Sequence, residues 1–357
     1  MPTPFRVIDT GVRDGRANIA FDAALIELHA RGAIPDTLRF LRFRPTALVG
    51  RHQSISAELM LDHCRANGIG LARRITGGGA IYFDEGMLGW ELVLSRRRLP
   101  MASLADYTRR ICEAAADGLS RGFGISARFR PRNDIEVDGR KLSGTGGFFD
   151  GDTLFYQGTV LIDAEPARVM ACLNVPRAKL EKRGLDRAEA RIVTLKELLG
   201  RVPAAEEVQR ALLDGLTRGL DLTVTATETT PVEEAHAAKL YAESIGTDEF
   251  VFEIDSIGGA DVLTARVESA GGSITAALRV EGTSGARRIR EALVTGDFFV
   301  TPTRLVLDLE AALRGVAVEQ AGAAVDAFFA EHRPEMLSIQ PADFKAAILA
   351  ALQQDKG

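Results

Sequence analysis

The sequence predicts an α+β protein built around a mixed β-sheet. Strand-like segments of alternating apolar and polar residues occur in groups, as at 126–129, 134–137, 140–143 and 153–163, and helical segments lie between the groups. This order is not the regular strand–helix–strand alternation of a doubly wound parallel sheet. With 357 residues, of which 46% are apolar and 26% charged, the chain is long enough for two domains with buried cores.

Apolar spacing, together with turn and cap residues, places the other elements of the first 252 residues. The clearest helix spans 104–119, with Ile111 and Leu119 on one face and Gly122 beyond its end. Another helix is expected to begin with Ser56 as its cap and to end at Asn67-Gly68. Further strands are expected at 5–9, 38–43, 46–50, 69–73 and 90–94, and further helices at 18–29, 166–172, 205–219 and 233–244.

The pattern changes at about residue 253. Residues 262–267 and 273–280 alternate in polarity on either side of Gly271-Gly272, which predicts a β-hairpin. Helical patterns follow at 304–313, 321–330 and 341–352. We therefore expect a large domain of residues 1–252 and a small α+β domain of residues 253–357.

One segment of the large domain is typical of an anion-binding turn. It contains two arginines, three glycines and the start of an apolar strand, namely Arg73, Arg74, Gly77, Gly78, Gly79, Ala80, Ile81 and Tyr82. Guanidinium groups are forked donors suited to phosphate or carboxylate. Successive residues without a Cβ let a ligand approach the backbone, and their N–H groups can form an anion cradle.

A second segment, residues 133–146, predicts a β-hairpin that presents a lysine. Asp138-Gly139 is a favoured two-residue turn, and Lys141 lies on the return strand before a glycine-rich run. A lysine fixed there can neutralise charge during acyl or phosphoryl transfer. An ordinary exposed hairpin has the same pattern, and neither segment matches the usual phosphate-loop or dinucleotide-loop motifs. The residues alone therefore indicate an anion site without a named reaction.

Together the two segments resemble the signature motifs of the lipoate–protein ligases, in the biotin/lipoate ligase and octanoyltransferase superfamily. Arg-Arg-x-x-Gly-Gly-Gly-Ala-Ile-Tyr and Asn-Asp-Ile-x(5)-Lys-Leu-Ser-Gly-Thr agree with the family in text, order and spacing. Similar stretches lie at 48–53, at 158–162 and, in what would be the accessory domain, at 296–300. The resemblance therefore covers nearly the whole chain. It implies an α+β fold with a mixed sheet and a fused C-terminal accessory domain.

The resemblance also implies a reaction in two steps. ATP, with Mg²⁺, and lipoate or octanoate would give an acyl-adenylate and pyrophosphate. A lysine of an apo lipoyl domain or lipoate-binding carrier protein would then take the acyl group. Lys141 would lie beside the reacting carboxyl and phosphate oxygens, and Asn133 and Asp134 would orient Lys141 or a magnesium ion. The residues expected to contact ATP or the acyl-adenylate are Arg74, Gly77, Gly78, Gly79, Ala80, Ile81, Tyr82, Asn133, Asp134 and Lys141, with Gly77 and Gly78 lining the acyl tunnel near Leu48 and Val49.

Two positions depart from the family pattern. The common His-Asp after the glycine strand is Phe83-Asp84, and the usual histidine before Gly-Thr is Gln157. These changes lead to the hypothesis that the enzyme has a restricted acceptor, such as a dedicated small lipoyl-carrier protein. The segment 179–195 is similar to a family segment of unclear chemistry, and we expect it to be a helix that packs on the sheet.

Two other functions remain open at this point. An ATP-independent octanoyl- or lipoyltransferase would need a cysteine nucleophile, and the candidates are Cys64, Cys112 and Cys172. Cys64 and Cys112 lie on apolar helix faces, where cysteine is usually a small buried hydrophobe, so Cys172 is the strongest candidate. A non-catalytic lipoate-binding scaffold would be indicated by loss of the lysine, but Lys141 is present.

Composition and charge bear on the partners. A net charge of −5 argues against non-specific nucleic-acid binding, although arginines are dense at 96–98, 128, 130 and 132. These arginines are either solvated surface residues or a docking surface for an acidic protein. Three irregularly spaced cysteines fit a reducing compartment, and we see neither a signal pattern nor a long apolar run. We expect a cytoplasmic monomer that binds neither nucleic acid nor membrane.

Overall fold

A computed structural model describes residues 5–174, 191–269, 271–283, 286–337 and 339–354. It confirms the α+β class with a mixed sheet. The strands are β1 (Phe5–Arg13), β2 (Thr37–Phe43), β3 (Thr46–Val49), β4 (Gly70–Arg73), β5 (Ile81–Phe83), β6 (Met87–Ser95), β7 (Arg128–Arg130), β8 (Asp134–Val137), β9 (Arg140–Asp150), β10 (Thr153–Leu161), β11 (Val224–Ala226), β12 (Val262–Ser269), β13 (Gly272–Glu281), β14 (Arg288–Gly296), β15 (Val300–Thr301) and β16 (Glu335–Met336).

The helices lie between and around these strands. They are α1 (Gly15–Ala30), α2 (Ile55–Glu58), α3 (Leu61–Ala66), α4 (Leu104–Phe123), α5 (Pro166–Cys172), α6 (Leu195–Leu199), α7 (Ala205–Leu220), α8 (Pro231–Leu240), α9 (Asp248–Val251), α10 (Leu305–Leu313), α11 (Ala321–His332) and α12 (Pro341–Leu352). A π-helical turn, Tyr241–Ile245, extends α8. The expected long helices are present to within a few residues of their predicted ends.

The main sheet has eight strands in the order β11-β1-β2-β6-β10-β9-β8-β7. Strand β1 runs parallel to β11 and β2, whereas the pairs from β2 to β7 are antiparallel. Helices α4 and α7 pack together on one face, over a core that contains Trp90 and Tyr156. The opposite face is covered by α1 and by the three-stranded sheet β4-β3-β5, which carries the glycine turn between β4 and β5.

One predicted helix is wrong in its start and its continuity. The cap is Ser54, whose hydroxyl accepts a hydrogen bond from the Ala57 N–H at 3.4 Å, whereas Ser56 bonds the carboxylate of Asp255. The expected single helix is two short ones because the chain is extended at Leu59 and pairs there with Leu173. This bridge ties the α2–α3 connection to the end of α5.

The C-terminal part forms its own layer. Strands β12, β13 and β14 make an antiparallel sheet on which α10, α11 and α12 pack, with Ile274, Leu278 and Phe344 in a core separate from those of the first 254 residues. The predicted hairpin around residue 271 is present. A boundary at residue 252 stays a prediction. Within the described parts of the chain, no helix is long and apolar enough to cross a membrane.

Candidate active site

A cavity of about 570 Å³ lies between the main sheet, the glycine turn and the C-terminal part. Each residue proposed from the sequence as a site residue lines it: Arg74, Gly77, Gly78, Gly79, Ala80, Ile81, Tyr82, Asn133, Asp134 and Lys141. The two motifs are sixty residues apart in sequence, and the fold brings both of them to the lining of one cavity. Which of these residues bind a ligand stays a prediction.

The floor of the cavity consists of two neighbouring rows of residues across the sheet. One row crosses four neighbouring strands, in which each residue pairs directly with the next: Gly146, Gln157, Glu91 and Arg39. Directly paired residues share a face of the sheet. The next row contains two pairs, Asp134 with Gly144 and Gly89 with both Thr159 and Leu41. The N–H of Gly144 donates to the Thr159 hydroxyl and so joins the two parts of the row. Glycine at 89, 144 and 146 leaves the space over the floor to the side chains of Leu41, Lys141 and Phe299, which a Cβ at these positions would meet.

Main-chain hydrogen bonds join the glycine turn and the nearby loop at His52 to the C-terminal part. The Gly78 N–H donates to the carbonyl oxygen of Phe298 at 3.1 Å, and the His52 carbonyl accepts from the Gly296 N–H at 3.0 Å. A Cβ on Gly77 would clash with the Phe298 carbonyl, so glycine is required there. Gly78 has a φ of +91°, which favours glycine. The expected anion cradle is therefore incomplete in this arrangement, because one of its N–H groups is already bonded.

The two arginines before the turn have different roles, which corrects the expectation that both face an anion. The fully buried Arg73 donates to main-chain carbonyls, including those of Gln53 at 2.7 Å and Ile254 at 2.8 Å, and thereby ties loops together away from the cavity. Arg74 lines the cavity and donates to the carbonyl of Gly79 at 2.7 Å. Its Nη1 is buried without a hydrogen-bond partner. Burial lowers the Arg74 pKa to about 10, so it stays cationic at neutral pH.

Lys141 belongs to a cluster in which two cations share one carboxylate. Its Nζ lies 2.7 Å from Oδ1 of Asp134, and Arg130 donates to Oδ2 of Asp134 at 2.7 Å and to Glu136 at 3.0 Å. Burial acts to raise the pKa of the Asp134 carboxyl, but Lys141 and Arg130 together hold it below its usual value. The cluster fixes the position of the ammonium group. With Arg128, which also pairs with Glu136, it sets three cations against two carboxylates and so retains excess positive charge beside the cavity.

Asn133 is held in place by the strand next to it. Its side-chain amide donates to the Thr145 carbonyl, and its own carbonyl accepts from the Thr145 N–H and hydroxyl, both at 2.9 Å. Asn133 therefore fixes the start of the hairpin against β9. Asp134 is the residue that contacts Lys141.

A second charged cluster, not anticipated from the sequence, lies at the other side of the floor. Arg39 Nη1 donates to Asp22 at 2.5 Å and to Glu91 at 3.0 Å, and Nη2 donates to Asn18 at 2.6 Å. All these side chains are buried, and Glu91 lines the cavity. Burial, and then the neighbouring Asp22, raise the pKa of Glu91 well above its usual value, and burial also raises that of Asp22. The sequence indicates this cluster only through Glu91, the single charged residue in the otherwise largely apolar strand 87–95.

Sequence reasoning also missed the side chain of Phe299. It enters the cavity from the C-terminal part and packs where a Cβ on Gly78 or Gly146 would stand. Phe298, one residue earlier, points away and stacks on His52 with ring centroids 5.1 Å apart. The motif at 296–300 is therefore more than a feature of the accessory domain, since it completes the wall of the candidate site.

The segment expected to be a helix on the sheet lies partly outside the described residues, at 179–190. Its described end is extended: the Lys141 N–H donates to the Arg191 carbonyl at 2.8 Å, and the Val193 N–H donates to the Lys141 carbonyl at 2.9 Å. Ile192 lines the cavity. The helix prediction is wrong here because these residues pair with β9.

The departures from the family pattern both face the cavity. Phe83 stacks on Phe43 with ring centroids 4.5 Å apart, and the Gln157 amide donates to the Thr76 hydroxyl at 2.7 Å. The chain's five histidines, His29, His52, His63, His236 and His332, are all described, and the cavity lining includes none of them.

The three cysteines are buried and lie outside the cavity lining. Cys112 is on α4, behind the sheet, 3.3 Å from the Thr145 hydroxyl, and burial raises its pKa to about 11. Burial, together with Cys64 beside it, raises the pKa of Cys172 to about 12. Burial and the raised thiol pKa values disfavour each of them as a nucleophile in this arrangement.

Most of the dense arginines are already paired within the chain. Arg96 bonds Glu335 at 2.9 Å, Arg98 lies 4.0 Å from Asp36, and Arg128 lies 2.8 Å from Glu136. Arg132, which is exposed, lines the cavity mouth. The pairing favours a structural role for most of this group over a free basic face.

Comparison with known proteins agrees with the motifs. Residues 14–217 match the family model described as the lipoyl protein ligase A/B catalytic domain. The chain is 31% identical over 273 residues to the octanoyltransferase LipM of Symbiobacterium thermophilum, an alignment that covers 70% of this chain and 98% of that protein. Other relatives bear the name lipoate–protein ligase.

Solved structures extend the comparison. A lipoate-protein ligase A bound with ATP is 25% identical, with a TM-score of 0.60 over 71% of this chain and 99% of that one. LipL1 of P. falciparum, in complex with lipoate, is 17% identical, with a TM-score of 0.75 over 98% of this chain and 100% of that one, and shares the fold including the C-terminal part. The chain belongs to the lipoyl protein ligase A/B family.

Proposed function

We propose that the protein is an ATP-dependent lipoate–protein ligase that uses lipoate or octanoate. The observation that carries the proposal is the cavity itself, which holds Lys141, fixed by Asp134, and Arg74, with a buried unpaired Nη1, and has no cysteine in its lining. A carboxylate without a thiol nucleophile must be activated before an amine can attack it. The ATP bound to the similar ligase structure supports a nucleotide as the activating group.

In the first step a carboxylate oxygen attacks the α-phosphorus of ATP, and pyrophosphate leaves. Lys141 would pair with the carboxylate and then stabilise the charge that develops on the carboxyl and phosphate oxygens. Arg74 and the glycine turn, Gly77 to Gly79, would contact the phosphate, and Ala80, Ile81 and Tyr82 the rest of the nucleotide. Asn133 would fix the hairpin, and Asp134 would hold Lys141 in place.

In the second step the lysine amine of the acceptor attacks the acyl carbonyl, an amide bond forms, AMP leaves, and the amine loses a proton. The cavity walls would limit the access of water to the mixed anhydride until then. We propose an apo lipoyl domain or lipoate-binding carrier protein as acceptor. The replacement of both usual histidines by Phe83 and Gln157 supports a restricted choice of acceptor, such as a dedicated carrier protein.

We propose that Mg²⁺ enters with ATP and is held mainly by its phosphates. Among the described residues no group of three or more His, Cys, Asp or Glu side chains could hold a metal. Asp134, the expected neighbour of the ion, is already paired with Lys141 and Arg130. The domain limits 1–252 and 253–357 and a cytoplasmic monomer also remain part of the proposal.

An octanoyltransferase without ATP is the second candidate, because the LipM relative aligns over nearly its whole length. It would require one of the three buried cysteines to become accessible and reactive. Replacing Cys64 and Cys172 by Ala and Cys112 by Ser should leave activity in place if the ligase proposal is right.

The deciding experiment follows the intact mass of an apo lipoyl domain incubated with the enzyme and lipoate, with and without Mg-ATP. A mass gain that depends on ATP supports the ligase. A gain without ATP from an octanoylated carrier protein, lost in the cysteine-free variant, would replace it with the transferase. A folded protein that binds lipoate but modifies nothing under either condition would indicate a scaffold.

A further inference from the structure

A chain of hydrogen bonds lies behind the main sheet, between the core under α4 and the start of the hairpin formed by β8 and β9. Side chains alternate along a strand, so Thr145 and Tyr156 face α4, whereas their neighbours Gly146 and Gln157 line the cavity. The Tyr156 hydroxyl lies 2.5 Å from the Thr145 hydroxyl, which in turn lies 2.9 Å from the carbonyl oxygen of Asn133. The two buried hydroxyl groups therefore connect the helix core to the first residue of the hairpin.

The direction of these hydrogen bonds follows from the atoms that make them. A carbonyl oxygen only accepts, so the Thr145 hydroxyl donates to Asn133, and its oxygen accepts from Tyr156. Burial raises the pKa of Tyr156 well above its usual value, so the phenol keeps the proton that it donates. The thiol of Cys112 is a weaker partner, 3.3 Å from the Thr145 hydroxyl and 3.4 Å from that of Tyr156. Tyr156 and Thr145 therefore carry the network, and each uses its hydroxyl proton in it.

Two glycines beside the network leave space for the aromatic rings that fix its position. Gly147 pairs directly with Tyr156, and a Cβ at this glycine would stand 2.7 Å from the tyrosine ring. Gly158 pairs directly with Thr145, and a Cβ there would meet the ring of Trp90. The rings of Trp90 and Tyr156 lie 6.2 Å apart in the same core. Because packing fixes the Tyr156 ring, its hydroxyl is held where it reaches Thr145.

The other end of the network is one residue away from the ion pair of Lys141. Thr145 bonds the Asn133 carbonyl through its N–H and its hydroxyl, both at 2.9 Å. The residue after Asn133 is Asp134, whose carboxylate lies 2.7 Å from Nζ of Lys141. Gly144, the neighbour of Thr145, pairs with Asp134 across the hairpin. A shift of Asn133 against Thr145 would therefore move the carboxylate that holds the ammonium group, and a misplacement of about 1 Å can cost on the order of 10²-fold in rate.

We propose that Tyr156 and Thr145 are positioning residues, which fix Lys141 from behind the sheet through Asn133 and Asp134. Their hydroxyl groups act through the hairpin and need no contact with the acid or the nucleotide. The inference rests on the proposed function, because the effect is on the rate at which the acyl-adenylate forms.

The test measures kcat for pyrophosphate release with Mg-ATP and lipoate, without any acceptor protein. Thr145→Val and Tyr156→Phe each remove one hydroxyl with little change of shape, and each should lower kcat by about tenfold. The double variant should lose little more than either single variant, because the two hydroxyl groups belong to one network. Thr145→Ser keeps the hydroxyl and should recover most of the wild-type rate. Circular dichroism checks that each variant is folded.

The matched control is Tyr107→Phe, at a second buried tyrosine, which lies on α4 and donates its hydroxyl to the Arg96 carbonyl at 3.1 Å. It loses a similar hydrogen bond but should keep the wild-type rate. In a Lys141→Ala background, Thr145→Val should have no further effect, because its effect passes through Lys141. A full second loss there, or wild-type rates for Thr145→Val and Tyr156→Phe, would overturn the inference and leave the ligase in place. Folded wild-type protein that releases no pyrophosphate would overturn the proposed function, and the inference with it.

Discussion

The two charged clusters at the cavity floor are built in opposite ways. At one end two cations, Lys141 and Arg130, share the carboxylate of Asp134, whereas at the other end two carboxylates, Asp22 and Glu91, share the guanidinium of Arg39. The first cluster is partly exposed and the second is buried. The pKa of Asp134 is accordingly lowered and those of Asp22 and Glu91 are raised.

The opposite balance of charge determines what each end of the cavity floor can bind. Excess positive charge at the exposed end attracts an anion, which suits the carboxylate and phosphate oxygens of the proposed first step. Excess acid at the buried end retains a proton, which Glu91 and Asp22 share in a hydrogen bond inside the cluster.

The largest expected effect comes from breaking the positive end. Lys141→Ala should lower the rate of pyrophosphate release by about 10²–10³-fold, as is typical when one group that stabilises developing charge is removed. The fold should persist, because Arg130 still pairs with Asp134. The matched control is Lys196→Ala, which removes a half-exposed lysine paired with Asp163. Equal rates for wild type and Lys141→Ala would remove Lys141 from the mechanism.

Breaking the buried end should cost stability. Arg39→Met leaves Asp22 and Glu91 buried without their cation, and we expect a loss of about 3–5 kcal/mol in the free energy of unfolding. Arg31→Met, at an exposed pair with Glu27, should change it by no more than about 0.5 kcal/mol. Denaturant titration measures both. Adding Glu91→Leu to Arg39→Met should recover part of the loss, and no recovery would contradict the shared-cation account.

The region between the clusters can be tested through Phe299. A Cβ on Gly146 would meet the Phe299 ring, so Gly146→Ala should displace the ring and lower pyrophosphate release by about tenfold. Gly258→Ala is the control, because its Cβ would stand in open space. The effect of Gly146→Ala should largely disappear in a Phe299→Ala background, since contacting residues are not additive. Simple additivity of the two losses would place the effect elsewhere.

The smallest expected effect is a dependence of stability on pH. The pKa of Glu91 is raised in the folded protein, so the folded state holds a proton that the unfolded chain loses above its ordinary value of 4.5. Its contribution to stability is complete below that value and is lost as pH rises through the raised pKa. The free energy of unfolding of the wild type should therefore fall more steeply above pH 4.5 than that of Glu91→Gln. Parallel curves would show that Glu91 is not protonated.

The sequence predicted the exposed cluster far better than the buried one. Lys141 and Asp134 lie on one short hairpin, so the turn at Asp138-Gly139, where both φ values are positive, brings them together through local rules. Arg39 and Glu91 are 52 residues apart, and their contact depends on the register of β2 against β6. Local patterns carry no information about that register.

The position of Phe299 also depends on tertiary contacts. The sequence contains its motif, but the contact of its ring with Gly78 and Gly146 follows from how the C-terminal part packs on the glycine turn. Arg73 and Arg74 show a further limit of prediction from sequence. They are identical neighbours on an extended chain, so their side chains point in opposite directions, and only Arg74 lines the cavity. Motif text gives the residue types, and packing decides which of them face the ligand.

Formation of an acyl-adenylate can be traced with lipoate that carries oxygen-18 in its carboxyl group, incubated with enzyme, Mg-ATP and an apo lipoyl domain. If the acid is activated as an acyl-adenylate, one labelled oxygen remains on phosphorus when the acceptor amine attacks, and mass spectrometry will find it in AMP. Unlabelled AMP beside a lipoylated acceptor, or lipoylation without any AMP, would contradict the account.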